Sequence, residues 1–313
     1  MNPYANVFSE TALPVLPLAH FTDFPVSLPI QVARDVEAAL AEDVGQGDLT
    51  ASLIPLNQQA TATVVVREPA VLCGCAWFES CFHKIDPAVR VDWAALDGAK
   101  LTDGQTVCTL EGDARSLLTG ERSALNFLQL LSGVATRTAL YAEHVKGTRA
   151  QVVDTRKTIP GLRVAQKYAV RVGGGGNHRL ALWDAILIKE NHILAAGGIS
   201  QALSNARVVA QSAAGRCRFI QIEVENLFEL EQALSAGAEM ILLDNFGLED
   251  LRRAILVNSQ YPHPAILEAS GGISLETLRA VAETGVDRIS VGGLTKDVGA
   301  IDLSMRFSVI AGD

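Results

Sequence analysis

From Gln151 onward the chain alternates short β-branched runs with amphipathic helical stretches, and this alternation constrains the fold more than any other feature. The runs are Val152–Thr155, Ala185–Lys189, Phe219–Glu225, Met240–Asp244, Ala265–Ser270 and Arg288–Gly293. Helical patterns of fitting length, such as Leu227–Ala236 and Leu275–Glu283, separate the later ones. Strands of this kind belong to a parallel sheet whose outer face is covered by helices. Two architectures remain, an open doubly wound sheet and a barrel. Polar residues decide between them, because each run ends in chemically active groups. These are Arg156 and Lys157, Lys189 and Glu190, Glu223 and Glu225, Asp244, Ser270-Gly271-Gly272, and Gly292-Gly293. A barrel builds its site from the C-terminal ends of many strands, whereas an open sheet concentrates it at one switch point. The reading is an α/β barrel with fewer than eight strands.

The preceding residues follow no strict alternation. Val32, Val36, Ala39 and Leu40 share a helical face, and Gly45 should end that helix. Ala60–Val66 and Val89–Leu96 read as strands, and Asp97-Gly98 and Asp103-Gly104 as turns bracketing a short strand pair. A long helical pattern runs from about Ala114 to Lys146, broken or bent near Gly133. This mixture predicts an α+β unit. Residues 1–30, with five prolines, read as an extended arm.

Composition excludes several function classes. The 313 residues carry a formal net charge of −9, so nucleic acid and anionic lipid are not default partners. No apolar run reaches the roughly 18 residues of a membrane span, and no basic residue precedes Arg34, which argues against a secretory signal. Five cysteines without framework spacing suit a reduced, cytoplasmic protein. The pair Cys73 and Cys75 lacks the further ligands of a metal site.

Against this negative balance, cations gather at the strand ends: Arg156, Lys157, His178, Arg179 and Lys189. Guanidinium forks suit carboxylate and phosphate, and lysine serves the same groups as a point charge. Glu223 and Asp244 suit Mg²⁺ shared with substrate phosphate, or ribose hydroxyls. Glu225 shares a strand face with Glu223 or else caps the next helix, and Asn191 and His192 shape the loop behind Lys189. Gly173–Gly176 is either a flexible loop or a thin backbone that lets His178 and Arg179 fold over a ligand. Gly271-Gly272 and Gly292-Gly293 offer backbone N–H groups to phosphate. Such a pocket would take a polyanion together with a phosphorylated sugar.

Several stretches, in order, resemble the quinolinate phosphoribosyltransferase family along almost the whole chain. They are residues 42–50 (EDVGQGDLT), 121–127 (ERSALNF), 131–136 (LSGVAT), 154–158 (DTRKT), 160–163 (PGLR), 177–179 (NHR), 188–192 (IKENH), 223–225 (EVE), 243–246 (LDNF), 270–272 (SGG) and 290–292 (SVG). The resemblance implies an incomplete TIM-like α/β barrel at 135–296 and an N-terminal α+β sandwich domain at 1–134, onto which the tail 297–313 returns. It implies a homodimer or higher multiple in which Arg122 enters the neighbouring subunit's site. Quinolinate would be gripped by Arg156, His178 and Arg179, with Lys157, Lys189 and Thr155 beside them. Glu223 and Asp244 would hold the ribose and Mg²⁺ of phosphoribosyl pyrophosphate. Ser270, Gly271, Gly272, Val291, Gly292 and Gly293 would bind its phosphate, while Lys157, Lys189, Glu223 and Asp244 form the catalytic set. The expected reaction gives nicotinate mononucleotide, pyrophosphate and CO₂.

Three alternatives stand beside this reading. One is a relative with another acceptor, such as the pyrophosphorylase-like proteins associated with molybdate transport. Another is a Schiff-base aldolase using Lys189, and the third a non-catalytic phosphate-sugar binding protein.

Overall fold

The computed structural model describes residues 24–310. In chain order the first elements are α1 (Leu28–Asp43), β1 (Gln59–Val66), β2 (Ala70–Val71), α2 (Cys75–Ile85), β3 (Arg90–Trp93), β4 (Lys100–Leu101), β5 (Thr106–Asp113) and α3 (Ala114–His144). Next come β6 (Gln151–Val153), α4 (Arg163–Val172), β7 (Ile186–Ile188), α5 (Glu190–Ala196), α6 (Ile199–Ser212), β8 (Ile220–Val224) and α7 (Leu227–Ser235). The last are β9 (Met240–Asp244), α8 (Leu248–Ser259), β10 (Ile266–Ser270), α9 (Leu275–Ala282), β11 (Arg288–Ser290), α10 (Gly293–Lys296) and β12 (Leu303–Val309).

Two compact units result. The first takes the chain up to Leu140, Ile159–Gly174 and the chain from Asp297; the second takes Tyr141–Thr158 and Gly175–Lys296. In this grouping α4 goes with the first unit. The expected N-terminal arm lies outside the described residues up to Asp23. Its last proline, Pro29, stands in the first turn of α1, where a missing N–H costs nothing.

In the first unit β12, β1, β5 and β3 form an antiparallel sheet in that order. Leu303 to Val309 pair along the whole of β1, opposite Val66 back to Ala60. Trp77, Phe78 and Phe82 of α2 are fully buried, each contributing about 2 kcal/mol of apolar burial. Helix α3 runs unbroken through Gly133, contrary to the expected break. Glycine is needed there because a Cβ would overlap the Gly299 backbone. The turn signals at Asp97 and Asp103 flank β4, which pairs with β2. Strand β5, not marked by the sequence reading, is one of the two inner strands of the four-stranded sheet.

The second unit is a parallel six-stranded sheet in the order β6-β11-β10-β9-β8-β7. Gly176 extends it by a parallel bridge to Val153 on the outer side of β6. The two ends of the sheet are therefore adjacent in sequence, and the sheet curls. Next to the Gly176 end, His178 reaches Gln221 on β8, a neighbour of the opposite edge, at 2.7 Å. This is an incomplete α/β barrel. Successive strand residues face opposite sides: Ile222, Val224, Ile241, Leu243, Leu267 and Ile289 are 0% exposed and form one apolar face. On the other face stand Gln221, Glu223, Asp244, Glu268, Ser270, Arg288 and Ser290.

Candidate active site

The C-terminal ends of these strands bring most of the anticipated residues to one rim. Thr155, Arg156 and Lys157 follow β6, and Lys157 N–H donates to Thr155 Oγ1 at 3.0 Å. Lys189 follows β7, and its Nζ lies 2.6 Å from Glu223 Oε2 on β8. Asp244 ends β9 directly beside Ser270 at the end of β10. Asn245 Nδ2 donates to Asp244 Oδ2 at 2.9 Å, which turns that carboxylate. Val291 N–H donates to Val153 O at 2.9 Å, holding the Gly292-Gly293 turn against the end of β6. Lys157 runs past this turn, its Cδ 3.2 Å from where a Gly292 Cβ would stand. Arg122 belongs to the first unit and is exposed on α3.

Two glycine positions show how closely the rim is fitted. Gly271 has φ +101°, and a Cβ there would run into the Asn245 side chain. Gly176 makes a single parallel bridge to Val153, and a Cβ there would meet the Gln151 side chain. The Ser270–Gly272 turn precedes the α9 N-cap, Ser274, by two residues.

His178 and Arg179 sit deeper than a rim loop. His178 N–H donates to Asp154 Oδ1 at 2.9 Å, and Asn177 Nδ2 donates to Asp154 Oδ2 at 2.6 Å. Arg179 N–H donates to His178 Nδ1 and Arg179 Nη1 to Ala185 O. Both ring nitrogens of His178 thus meet protein groups, whereas the resemblance gives the ring a substrate carboxylate. Burial, and then the neighbouring positive charge of Arg156, pull the Arg179 pKa below its usual value, with Asp184 opposing. An anion bound beside Arg179 would offset both effects.

The sequence reading missed the clamp under this loop. Asp184 accepts N–H bonds from Leu180 at 2.8 Å and Ala181 at 2.7 Å, and pairs with Arg218 at 2.7 Å. An Asp four residues after a loop residue is a recognisable turn signal, but the Arg218 partner lies too far along the chain to be inferred. His192 accepts the Lys189 N–H at 3.0 Å, as a residue shaping that loop should. Asn226, not Glu225, caps α7 by accepting from Glu229 N–H. Glu225 is exposed, and neighbouring carboxylates, Glu190 foremost, push its carboxyl pKa up. Beside it Glu190, Glu223, Glu229, Leu194 and Phe228 line a cavity of about 330 Å³.

Among the described residues no three histidine, cysteine, aspartate or glutamate side chains converge as metal ligands.

A barrel whose rim sets arginine and lysine around paired carboxylates and glycine turns defines an enzyme for anionic, phosphorylated substrates. The chain belongs to the quinolinate phosphoribosyl transferase family: the family models of its N-terminal and C-terminal domains match residues 48–132 and 134–306. It is 40% identical over 276 residues to a probable nicotinate-nucleotide pyrophosphorylase (carboxylating) of Bacillus subtilis, covering 88% of this chain and 93% of that protein. Identity to the nicotinate-nucleotide pyrophosphorylase (carboxylating) of Mycobacterium leprae is 41% over 281 residues, covering 87% and 96%. The structure of the nicotinate-nucleotide pyrophosphorylase from Francisella tularensis matches with a TM-score of 0.85 at 42% identity, over 91% of this chain and 98% of that one.

Proposed function

We propose that the protein transfers phosphoribosyl from phosphoribosyl pyrophosphate to quinolinate and releases CO₂, giving nicotinate mononucleotide for NAD synthesis. The observation that carries this reading is the rim itself. Arg156 and Lys157 follow β6, the paired Lys189 and Glu223 lie at the neighbouring ends of β7 and β8, and Asp244 ends β9 beside Ser270.

Arg156, Arg179 and Lys157 bind the two carboxylates of quinolinate and orient its ring nitrogen toward the ribose. His178 acts beside them. Glu223 and Asp244 hold the ribose hydroxyls of the donor. Ser270, Gly271, Gly272, Val291, Gly292 and Gly293 receive its phosphate through hydroxyl and backbone N–H groups. Glu223 and Asp244 would hold Mg²⁺ together with the donor phosphates, and the ion would supply charge neutralisation for the departing pyrophosphate. Loss of pyrophosphate leaves an oxocarbenium-like carbon, as in glycoside cleavage, and the pyridine nitrogen bonds to it. Catalysis at this stage is mostly positioning and charge stabilisation. The quaternised nitrogen then stabilises the carbanion formed when the adjacent carboxylate leaves as CO₂, and that carbon takes a proton from water to give nicotinate mononucleotide.

Arg122 acts across a homodimer, completing the neighbouring site. The cytoplasm suits a chain with five free cysteines, and no helix among the described residues is long and apolar enough to cross a membrane. Lys189 is held against a carboxylate, the setting of a charge partner and not of a Schiff-base lysine made reactive by an apolar pocket or a second cation.

The test is a direct assay with Mg²⁺, phosphoribosyl pyrophosphate and either quinolinate or nicotinate. Equimolar CO₂ and nicotinate mononucleotide from quinolinate alone is the expected outcome. Product from nicotinate without CO₂, or product from neither, would overturn the assignment.

A further inference from the structure

Inside the barrel a chain of polar side chains leads from Arg179 to a fully buried carboxyl, and the proposed chemistry makes no direct use of it. Arg179 N–H meets His178 Nδ1 at 2.7 Å. A backbone N–H can only donate, so Nδ1 is the bare nitrogen and the ring proton sits on Nε2. Nε2 faces Gln221 Oε1 at 2.7 Å. That bond admits one orientation of the Gln221 amide, with oxygen toward the ring and nitrogen turned into the barrel.

Glu268 stands behind this pair, 0% exposed, with Oε1 3.7 Å from His178 Nε2. Arg288 Nε lies 3.1 Å from Glu268 Oε2, in ion-pair range but off the line of a hydrogen bond. Phe219 packs its ring edge-on to the imidazole at 5.5 Å between centroids. Asp154 fixes the His178 backbone from the end of β6. Residues of β8 and β10, with Phe219 just ahead of β8, thus surround a buried ring.

We infer that Gln221 is a positioning residue for Arg179, acting through His178. Gln221 holds the proton on Nε2 and so keeps Nδ1 free to accept the Arg179 N–H. That bond sets the direction in which Arg179 leaves the backbone. The inference rests on the reading of Arg179 as a grip for the acceptor's carboxylate. A residue that only filled space inside the barrel would have no influence on the tautomer and no preference between the two substrates.

Gln221→Met keeps length and volume and removes the acceptor; Gln221→Glu restores an oxygen acceptor. In the wild-type protein, histidine ¹⁵N spectra should show His178 as the Nε2–H tautomer. In Gln221→Met that signal should change, and KM for quinolinate should rise about tenfold, the effect of one hydrogen bond, while KM for phosphoribosyl pyrophosphate stays level. Gln221→Glu should recover most of the loss. An unchanged tautomer and KM in Gln221→Met would overturn the inference, and so would an equal rise in both KM values. Should Gln221→Met fail to fold, the wild-type spectrum decides, since an Nδ1–H tautomer would rule the arrangement out. Absence of turnover by the wild-type protein would count against the proposed reaction alone, because the tautomer and its response to Gln221→Met are read without substrate.

Discussion

Lys189 Nζ lies 2.6 Å from Glu223 Oε2 and ties the end of β7 to the end of β8. The lysine side chain is 49% exposed and the glutamate 14%, so the pair adds little to stability by itself. Its value lies in holding a cation and a carboxylate ready at one place on the rim. Lys189→Ala should fold normally and lose about 100-fold in kcat/KM, within the range for deleting one electrostatic contact of a transition state. Steady-state kinetics on both substrates checks this. Loss of less than about threefold would remove Lys189 from the catalytic set.

Burial and then the positive charge of Arg156 lower the Arg179 pKa, and an anion bound at the two guanidiniums would offset both. Arg156→Ala should weaken quinolinate by about 2–5 kcal/mol, the usual range for truncating one side of a buried charge pair. Calorimetric titration with quinolinate measures it. An unchanged affinity would put the dicarboxylate elsewhere.

Gly271 holds φ +101° beside Asn245, whose own φ is +57°. Gly271→Ala combines backbone strain with overlap on Asn245, so the Ser270–Gly272 turn must shift. The expected result is a stability loss of about 1–3 kcal/mol together with weaker phosphoribosyl pyrophosphate binding. Denaturant unfolding and a ligand titration read the two effects separately.

Asp184 and Glu268 should give opposite pH signatures. Burial alone would raise the Asp184 carboxyl, but N–H bonds from Ala181 and Leu180 and the Arg218 guanidinium bring its pKa below the usual value. Its contribution is present above the ordinary carboxylate range and disappears as pH falls through the folded value. Asp184→Ala should cost about 3 kcal/mol at neutral pH, through buried N–H groups left without partners, and less at low pH. Burial raises the Glu268 carboxyl, against the opposing effects of Arg288, Gln221 and Ser290. A raised carboxyl costs stability as pH climbs past the ordinary value near 4.5 toward the folded one. The Tm of Glu268→Gln relative to wild type should therefore rise across that window. A flat difference would contradict the burial of a titrating carboxyl.

The barrel was legible because each strand run is short, apolar on one face and followed by a helix. Its lining was less so. The stretch Ile220-Gln221-Ile222-Glu223-Val224 alternates as a half-exposed strand would, yet Gln221 is fully buried. Periodicity records which residues share a face and says nothing of whether that face meets water or a closed interior. Rim positions such as Asp244 and Ser270 were readable because strand ends carry sites in barrels. The Asp184–Arg218 clamp and the His178–Gln221–Glu268 chain depend on contacts 34 to 90 residues apart, which local pattern does not encode. The unbroken α3 shows the converse, a glycine kept for a close backbone approach and mistaken for a break.

Strand β12 pairs along the full length of β1, although more than 230 residues separate them. During synthesis β1 leaves the ribosome early and keeps an open edge while the entire barrel is made. Only when Leu303–Val309 emerges can the first sheet close. Completion of the first unit is thus timed by translation of the last strand, and a stall anywhere in the barrel would leave an unpaired β1 edge, the kind of surface on which chaperones act and nascent chains aggregate.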